Sequence, residues 1–187
     1  GGFYPIEFSI NAQQAGAISD PAYLHKLDEF VSWLRAHPDV QHVYALTDII
    51  KRLNKNMHAD DEQYYKLPDK HDLSAQYLLL YELSLPYGLD LNDRINIDKS
   101  ATRVTATLGD VDTIQTRAFM NQAQDWLRDH APEYMWTNAT GATQMFSYIS
   151  KRNIESMLKG NVLAVSLIAL VLVLALRSIR LGCLLYT

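Results

Sequence analysis

The sequence contains one cysteine, Cys183, and little basic charge, and each scarcity excludes a class of protein. A single cysteine cannot form a disulfide within the chain, nor can it build a cysteine-based metal site. Lys and Arg number 17 against 21 Asp and Glu, so the formal net charge is −4. Because no basic field is present to hold a polyanion, we expect no nucleic-acid partner.

The chain also lacks the residue patterns that would carry a reaction or a metal. It has no Gly-x-Ser-x-Gly elbow, no phosphate-binding loop and no paired carboxylates in an apolar run. Its six histidines show no i, i+4 spacing of the kind found in helical zinc sites. The acidic stretch 58–62 lacks the glycine and distal glutamate of a calcium loop. We therefore expect no enzyme, no cofactor and no metal site.

What the sequence does contain is a long apolar run near its C-terminus. No residue from Gly160 to Leu176 is charged, and Asn161 and Ser166 carry its only polar side chains. A membrane-spanning helix needs about 20 mainly apolar residues, within a range of about 17–25. A helix on the surface of a soluble protein would keep a polar face, so the alternative is a fully buried core helix. We predict a span at about 160–176, and four apolar residues mark it: Val162, Leu167, Leu170 and Leu174.

Basic residues lie on both sides of this run and give conflicting signals about its orientation. Arg177 and Arg180 follow it directly, which favours a cytoplasmic C-terminal side. Lys151, Arg152 and Lys159 precede it and favour the opposite orientation.

No proline or glycine interrupts the sequence between Met145 and Lys159, so one continuous helix over 151–180 is expected to carry the chain into the span. Residues 181–187 are apolar again and are interpreted as the start of a further membrane segment. On this interpretation the chain is a piece of a larger membrane protein.

Residues 1–150 form a polar region that begins with a strand, a helix and a second strand. Phe8 and Ile10 alternate with polar neighbours at the period of a half-buried strand. The helix that follows has Asp20 as its predicted cap, Pro21 in its first turn and an apolar stripe at helical spacing. The stretch "VQHVYALTD" then supplies the second strand.

The same order of elements returns nearer the C-terminus. "ATRVTATLGD" alternates as a strand does, a helix capped by Asp110 is predicted next, and "EYMWTNATGA" resembles a short strand. Two β-α-β units in one small domain predict an α+β fold of the ferredoxin-like, split βαβ type, with helices on one face of an antiparallel sheet.

An insertion of about 50 residues, from about 48 to 99, separates the two units and is too long to be structureless. It contains a predicted short helix capped by Thr47 or Asp48, followed by "HDLSAQYLLLYELSLPYGLDL", whose middle is apolar on nearly every side.

This second insertion helix carries the candidate binding residues. Large apolar faces with hydroxyl tips suit a groove for an amphiphilic molecule. The simpler alternative is that its leucines pack the insertion onto the domain, as leucine and aromatic stripes usually do. The groove candidates are Tyr77, Leu80, Tyr81, Leu85 and Tyr87.

Five stretches, in this order, resemble the MMPL-type exporters of the resistance–nodulation–division superfamily. They cover nearly the whole chain: "ISDPAYLHKLDEFVSWLR", "TDIIKRLNKNMHADD", "AQYLLLYELSLPYGLDLNDRIN", "DKSATRVTATL" and "KGNVLAVSLIALVLVLALRSIRLG". The resemblance implies a periplasmic porter domain, of the second half of the transporter rather than the first, and the membrane helix that follows it. It also implies a multi-pass protein of the bacterial inner membrane, with residues 1 to about 158 on the periplasmic side.

The function implied by the resemblance is proton-driven export of lipids or other hydrophobic molecules. The implied partners are the remaining membrane helices, a second porter loop, the lipid bilayer and a hydrophobic or lipid-like substrate. The family's proton relay uses acidic residues in other membrane helices, so this chain offers no energy-coupling residue. The alternative is a single-span, membrane-anchored ligand-binding or sensor module. The sequence that follows Thr187 in the gene would separate the two.

Overall fold

The computed structural model describes residues 4–86 and 91–176, apart from some side chains between 142 and 176. The fold is mixed α+β, as predicted, and the chain divides into two compact units, Gly1–Met145 and Phe146–Thr187. The elements of the described residues are, in chain order, β1 (Tyr4–Asn11), α1 (Pro21–Ala36), β2 (Val40–Tyr44), α2 (Leu46–Met57), α3 (His71–Ser84), β3 (Ala101–Leu108), α4 (Thr113–His130) and α5 (Ala142–Leu176).

The sheet of the first unit has three strands in the order β1-β3-β2, and the central strand pairs antiparallel with both neighbours. Phe8 lies opposite Val104 and Val43 opposite Ala106, so the apolar residues of all three strands share one face. That face is buried, because Phe8, Val104 and Ala106 have no exposed surface.

The two helices α1 and α4 supply the rest of this core. The α1 stripe predicted from helical spacing is fully buried, and the Phe30 ring meets Phe8 of β1 edge-on at 5.4 Å. From α4, Phe119 and Leu127 join the same apolar cluster. Burial of large apolar side chains of this kind contributes about 1.5–3 kcal/mol each, which makes the cluster the main source of stability in the first unit.

The N-cap predicted from the sequence is correct for α1 and wrong for α2 and α4. The Ala22 amide donates to the Asp20 side chain at 2.9 Å, which confirms the predicted cap of α1. Helix α4 is capped by Asp112 rather than Asp110, so that prediction was wrong. Helix α2 begins after Ala45, with no side-chain cap, because Thr47 already lies inside the helix with its side chain buried.

The last predicted strand of the repeat is reduced to one residue pair. Residues Glu133–Met135 form a turn of 3₁₀ helix, and Thr140 then makes a single antiparallel bridge to Glu7 of β1. Met135 and Ala139 are the buried residues of this segment. Because Glu133–Met135 is helical and Thr140 makes only one bridge, the segment forms no strand ladder and the predicted strand is absent from this described part of the chain.

The insertion between β2 and β3 folds into the two predicted helices, and a buried amide joins them. Asn54 of α2 donates to the Lys66 carbonyl at 2.9 Å and accepts a hydrogen bond from the Tyr77 hydroxyl of α3 at 3.1 Å. Leu78 is buried, whereas Leu83 is 76% exposed. Helix α3 is therefore buried on one side only.

Helix α5 contains the apolar run and is continuous over 35 residues, as predicted. Its stretch Arg152–Val171 is long and apolar enough to cross a membrane, and none of that stretch is buried in the protein. The Ser166 hydroxyl donates to the Val162 carbonyl at 2.8 Å, so this polar group is satisfied within the helix. Predicted residues Val162, Leu167 and Leu170 are exposed; the Leu174 side chain, Arg177, Arg180 and 181–187 lie outside the described part.

Candidate functional site

A cleft of about 540 Å³ opens in the first unit where β2, α2 and α3 come together. One side is a face of α2, on which Asp48, Arg52 and Asn56 follow one another at intervals of four residues. Residues four apart are neighbours on a helix surface, so these polar side chains form a row. Ile49 and Leu53 lie beside the row and give the same wall an apolar half.

The other surfaces of the cleft come from the strand and the second helix. Tyr44 of β2 and Tyr81 of α3 line it, and Tyr65 from the intervening loop adds a third phenol ring. Val43 extends the apolar surface provided by α2. The cleft therefore combines aliphatic side chains with aromatic rings that end in hydroxyl groups, which is the usual make-up of a small-molecule site.

One arginine of the cleft is held in place by the fold. The Arg35 guanidinium, at the end of α1, donates to the Asp48 carboxylate at 2.6 Å and to the Val43 carbonyl at 3.2 Å. These bonds neutralise Asp48 and tie α1 to β2 and α2. Arg35 is thus a structural cation, and it leaves the Asp48 charge compensated.

The second arginine has no such restraint. Arg52 is exposed, and among residues 4–86 and 91–176 it makes no ion pair. It lies one helical turn from Asp48, whose charge is already paired with Arg35. The cleft therefore carries an uncompensated positive charge next to its apolar wall.

The phenol of Tyr44 is held in its neutral form. Burial raises the pKa of Tyr44, and the neighbouring Tyr81 phenol adds to this effect, while Arg94 opposes it. The Arg94 guanidinium lies over the Tyr44 ring, 4.4 Å from its centroid, and fixes the ring on that side. At neutral pH the Tyr44 hydroxyl is consequently a hydrogen-bond donor facing the cleft.

The structure separates the predicted groove residues from one another. Tyr81 lines the cleft, whereas Leu85 lines a different cavity of about 230 Å³ and Leu80, 42% exposed, lines neither. Tyr77 is 6% exposed and its hydroxyl is used by Asn54, so it supports the insertion from within. Burial also raises the pKa of Tyr77. Tyr87 lies outside the described residues.

Sequence reasoning missed the residues that α2 and β2 contribute to the cleft. The signal was present in the α2 sequence, where the polar row Asp48, Arg52 and Asn56 runs beside Ile49 and Leu53. Such a helix buries one face and presents another, but the pattern does not show that β2 and α3 stand opposite the second face. For Tyr44 no local signal existed, because its place depends on how the strand pairs in the sheet.

The cleft offers several groups that could bind a small molecule. Within the described ranges, no three His, Cys, Asp or Glu side chains lie close enough together to hold a metal ion. Besides the paired Arg35 and Asp48, the cleft offers the Arg52 guanidinium, three phenols and an apolar wall. The remaining polar side chains that line it are His42, Asn56 and Ser84.

Comparison with known proteins adds no assignment. No model of a known protein family matches the chain, and no curated protein matches it significantly.

Proposed function

We propose that this chain is the porter-domain part of a proton-driven membrane exporter of the MMPL type, in the resistance–nodulation–division superfamily. On this proposal its cleft holds a lipid or other hydrophobic molecule during export. One observation carries the proposal: a cleft with aliphatic and phenolic surfaces occurs in the same chain as a helix long and apolar enough to cross a membrane.

The strand order supports the ferredoxin-like part of this assignment. β1 and β2, the strands of the first β-α-β unit, are separated in the sheet by β3 of the second unit, which is the arrangement that "split" describes. Thr140 bridges to the free edge of β1, where a fourth strand would pair. We therefore propose a split βαβ domain whose fourth strand has been reduced to one bridge.

The rest of the assignment follows from the resemblance. The first unit would lie on the periplasmic side of a bacterial inner membrane, and further membrane helices and a second porter loop would complete the transporter. The predicted span 160–176 is helical throughout and about 26 Å long at 1.5 Å per residue, close to the roughly 30 Å thickness of a bilayer's hydrocarbon core.

Photo-crosslinking from the cleft tests the proposed cargo. With a photoreactive phenylalanine analogue in place of Tyr81 in the intact protein, irradiation in cells should attach a lipid or hydrophobic molecule, detected by mass spectrometry. The same analogue at Ile114, which is 78% exposed on α4 and outside the cleft, should give no adduct. The absence of any adduct at position 81, or equal labelling at positions 81 and 114, would contradict the proposed site.

The energy source is tested in the same cells. Collapse of the proton gradient by a protonophore should stop release of the crosslinked class of molecule. Export that continues unchanged would contradict proton drive. A cleft that is labelled in cells showing no export at all would favour the alternative, a membrane-anchored ligand-binding or sensor module.

A further inference from the structure

We infer that the cleft selects amphiphiles with an anionic head group, and that Arg52 is the residue that binds this charge. The inference rests on the proposed function, because it names the class of molecule that the same cleft would take. Its basis is the distribution of charge around Arg52, where every described acidic neighbour within the cleft and its margin already has a partner.

Among the described residues that line the cleft, the only carboxylate is Asp48. Its nearest cation is Arg35, at 2.6 Å, and that arginine is also anchored to the Val43 carbonyl. The Asp48 charge is therefore already balanced by Arg35, and among the described residues Asp48 forms no ion pair with Arg52.

At the margin of the cleft, the two carboxylates of the adjoining loop are also engaged. Glu62 forms an ion pair with Lys55. Asp60 accepts a hydrogen bond at 2.9 Å from the Asn56 amide, in the orientation that satisfies both groups of that side chain, and its charge interacts with the Lys55 ammonium. Among the described residues, Arg52 therefore keeps all of its guanidinium donors for a ligand or for water.

The surroundings of Arg52 favour a ligand that has both a charge and a chain. Ile49 and Leu53 share its helix face and offer an apolar surface, while Tyr44 and Tyr81 offer phenol hydroxyls that can donate hydrogen bonds to oxygen. A phosphate or carboxylate head could accept from Arg52 and a phenol together, and charge-assisted bonds of this kind are about twice as strong as neutral ones.

Other amphiphiles would fit this surface less well. An uncharged molecule that covers the cleft would remove water from Arg52 and supply no counter-charge in exchange, which opposes binding. A cationic amphiphile would in addition be repelled by the guanidinium. The expected order of affinity is therefore anionic, then uncharged, then cationic.

Four probes test the inference on the full chain in lipid nanodiscs: octyl phosphate, octanol, octylammonium and inorganic phosphate. The cleft volume, about 540 Å³, is in the range of about 300–1,000 Å³ found for small-molecule sites and has room for an octyl chain with its head group. Equilibrium dialysis against protein-loaded and empty nanodiscs separates binding by the protein from partition into lipid.

The variants are Arg52→Gln, which removes the charge, Arg52→Lys, which keeps it, and Arg128→Gln as a matched control on α4. Wild-type protein should bind octyl phosphate about tenfold or more tightly than octanol, a difference expected for a charge-assisted contact. Arg52→Gln should abolish that preference, Arg52→Lys should keep part of it, and Arg128→Gln should keep all of it.

Each contrary result has a separate meaning. Equal affinity for octyl phosphate and octanol in wild-type protein would overturn the charge selection and leave the proposed exporter cleft standing. If inorganic phosphate bound as tightly as octyl phosphate, the cleft would be a site for free anions, and the inference that its ligand is an amphiphile would be overturned. Failure of every probe, together with no adduct from position 81, would overturn both proposals.

Discussion

Tyr23 shows how one side chain can join three elements of the first unit. Its hydroxyl donates to the Ile10 carbonyl of β1 at 3.0 Å, which leaves the Thr102 hydroxyl of β3 to donate to the Tyr23 oxygen at 2.7 Å. The residue itself belongs to α1 and is 2% exposed. Burial is the main cause that raises the pKa of Tyr23, because the phenolate would be poorly solvated there.

This shift predicts a loss of stability in alkali. Above pH 10, tyrosine in the unfolded chain loses its proton while Tyr23 in the folded chain keeps it, so the free energy of unfolding falls by about 1.4 kcal/mol per pH unit. Below pH 10 the contribution is constant. Tyr23→Phe should be less stable at pH 7 by about 1–3 kcal/mol, since it removes the buried hydroxyl that bonds the Ile10 carbonyl and Thr102, and the difference from wild type should narrow above pH 10.

Urea titrations followed by tryptophan fluorescence at pH 7 to 11.5 measure this difference, because all three tryptophans belong to the first unit. Tyr4→Phe, at an exposed tyrosine, should match wild type at pH 7 within about 0.5 kcal/mol. A gap between wild type and Tyr23→Phe that stays constant up to pH 11.5 would argue against a neutral buried phenol.

At the scale of single residues, the sequence could predict which residue types form an apolar stripe. It could not predict which neighbour each tyrosine contacts in the folded chain. Tyr77 and Tyr81 stand four residues apart on α3 and have the same chemistry. One is buried against Asn54 and the other lines the cleft. The difference comes from α2, whose position against α3 is set by tertiary packing and leaves no trace in the local pattern.

Among the elements, α4 shows that hydrogen-bond reach decides which acidic residue caps a helix. The Gln115 amide donates to the Asp112 side chain at 2.7 Å, and the Gln115 side chain accepts from the Asp112 amide at 2.9 Å. This reciprocal pair is a capping box. Asp110 stands two residues too early to reach either donor.

Two alanine substitutions separate these aspartates. Asp112→Ala should lower the free energy of unfolding by about 1 kcal/mol, the usual effect of losing an N-cap side chain. Asp110→Ala should change it by less than about 0.5 kcal/mol, because its side chain is exposed and outside the cap. Equal losses from both, measured by urea unfolding, would contradict the capping box.

The two helices of the repeated order meet through equivalent residues. "WLRAHP" at the end of α1 and "WLRDHAP" at the end of α4 share their opening letters, and sequence alone could not distinguish this from chance. In the structure Trp33 and Trp126 stack on each other, with ring centroids 6.0 Å apart. The shared letters thus mark one helix–helix contact. The last predicted strand did not form, because Glu133–Met135 is a turn of 3₁₀ helix and Thr140 makes only one bridge to β1.

Over the whole molecule, periodicity and apolar length were enough to predict an α+β unit and a helix of membrane-spanning length. Both predictions depend only on how apolar residues are spaced along the chain and on how long an apolar run is, and both can be read directly from the sequence. The cleft was not predictable in the same way, because it depends on three elements meeting. Its proposed role in export depends on the helix being surrounded by lipid, since a helix buried in protein would remove the reason to place the cleft beside a membrane.

Site-directed spin labelling in lipid vesicles tests most directly whether helix α5 is surrounded by lipid. The labels are placed at Val162, Leu163 and Ile168 in a Cys183→Ser background. These positions point in directions about 100–140° apart around the helix, so together they sample its whole circumference. Lipid on all sides predicts high accessibility to oxygen and low accessibility to a water-soluble nickel complex at all three, with the reverse at a reference label on Ile114. Free access of the nickel complex at any of the three would contradict a membrane-spanning helix.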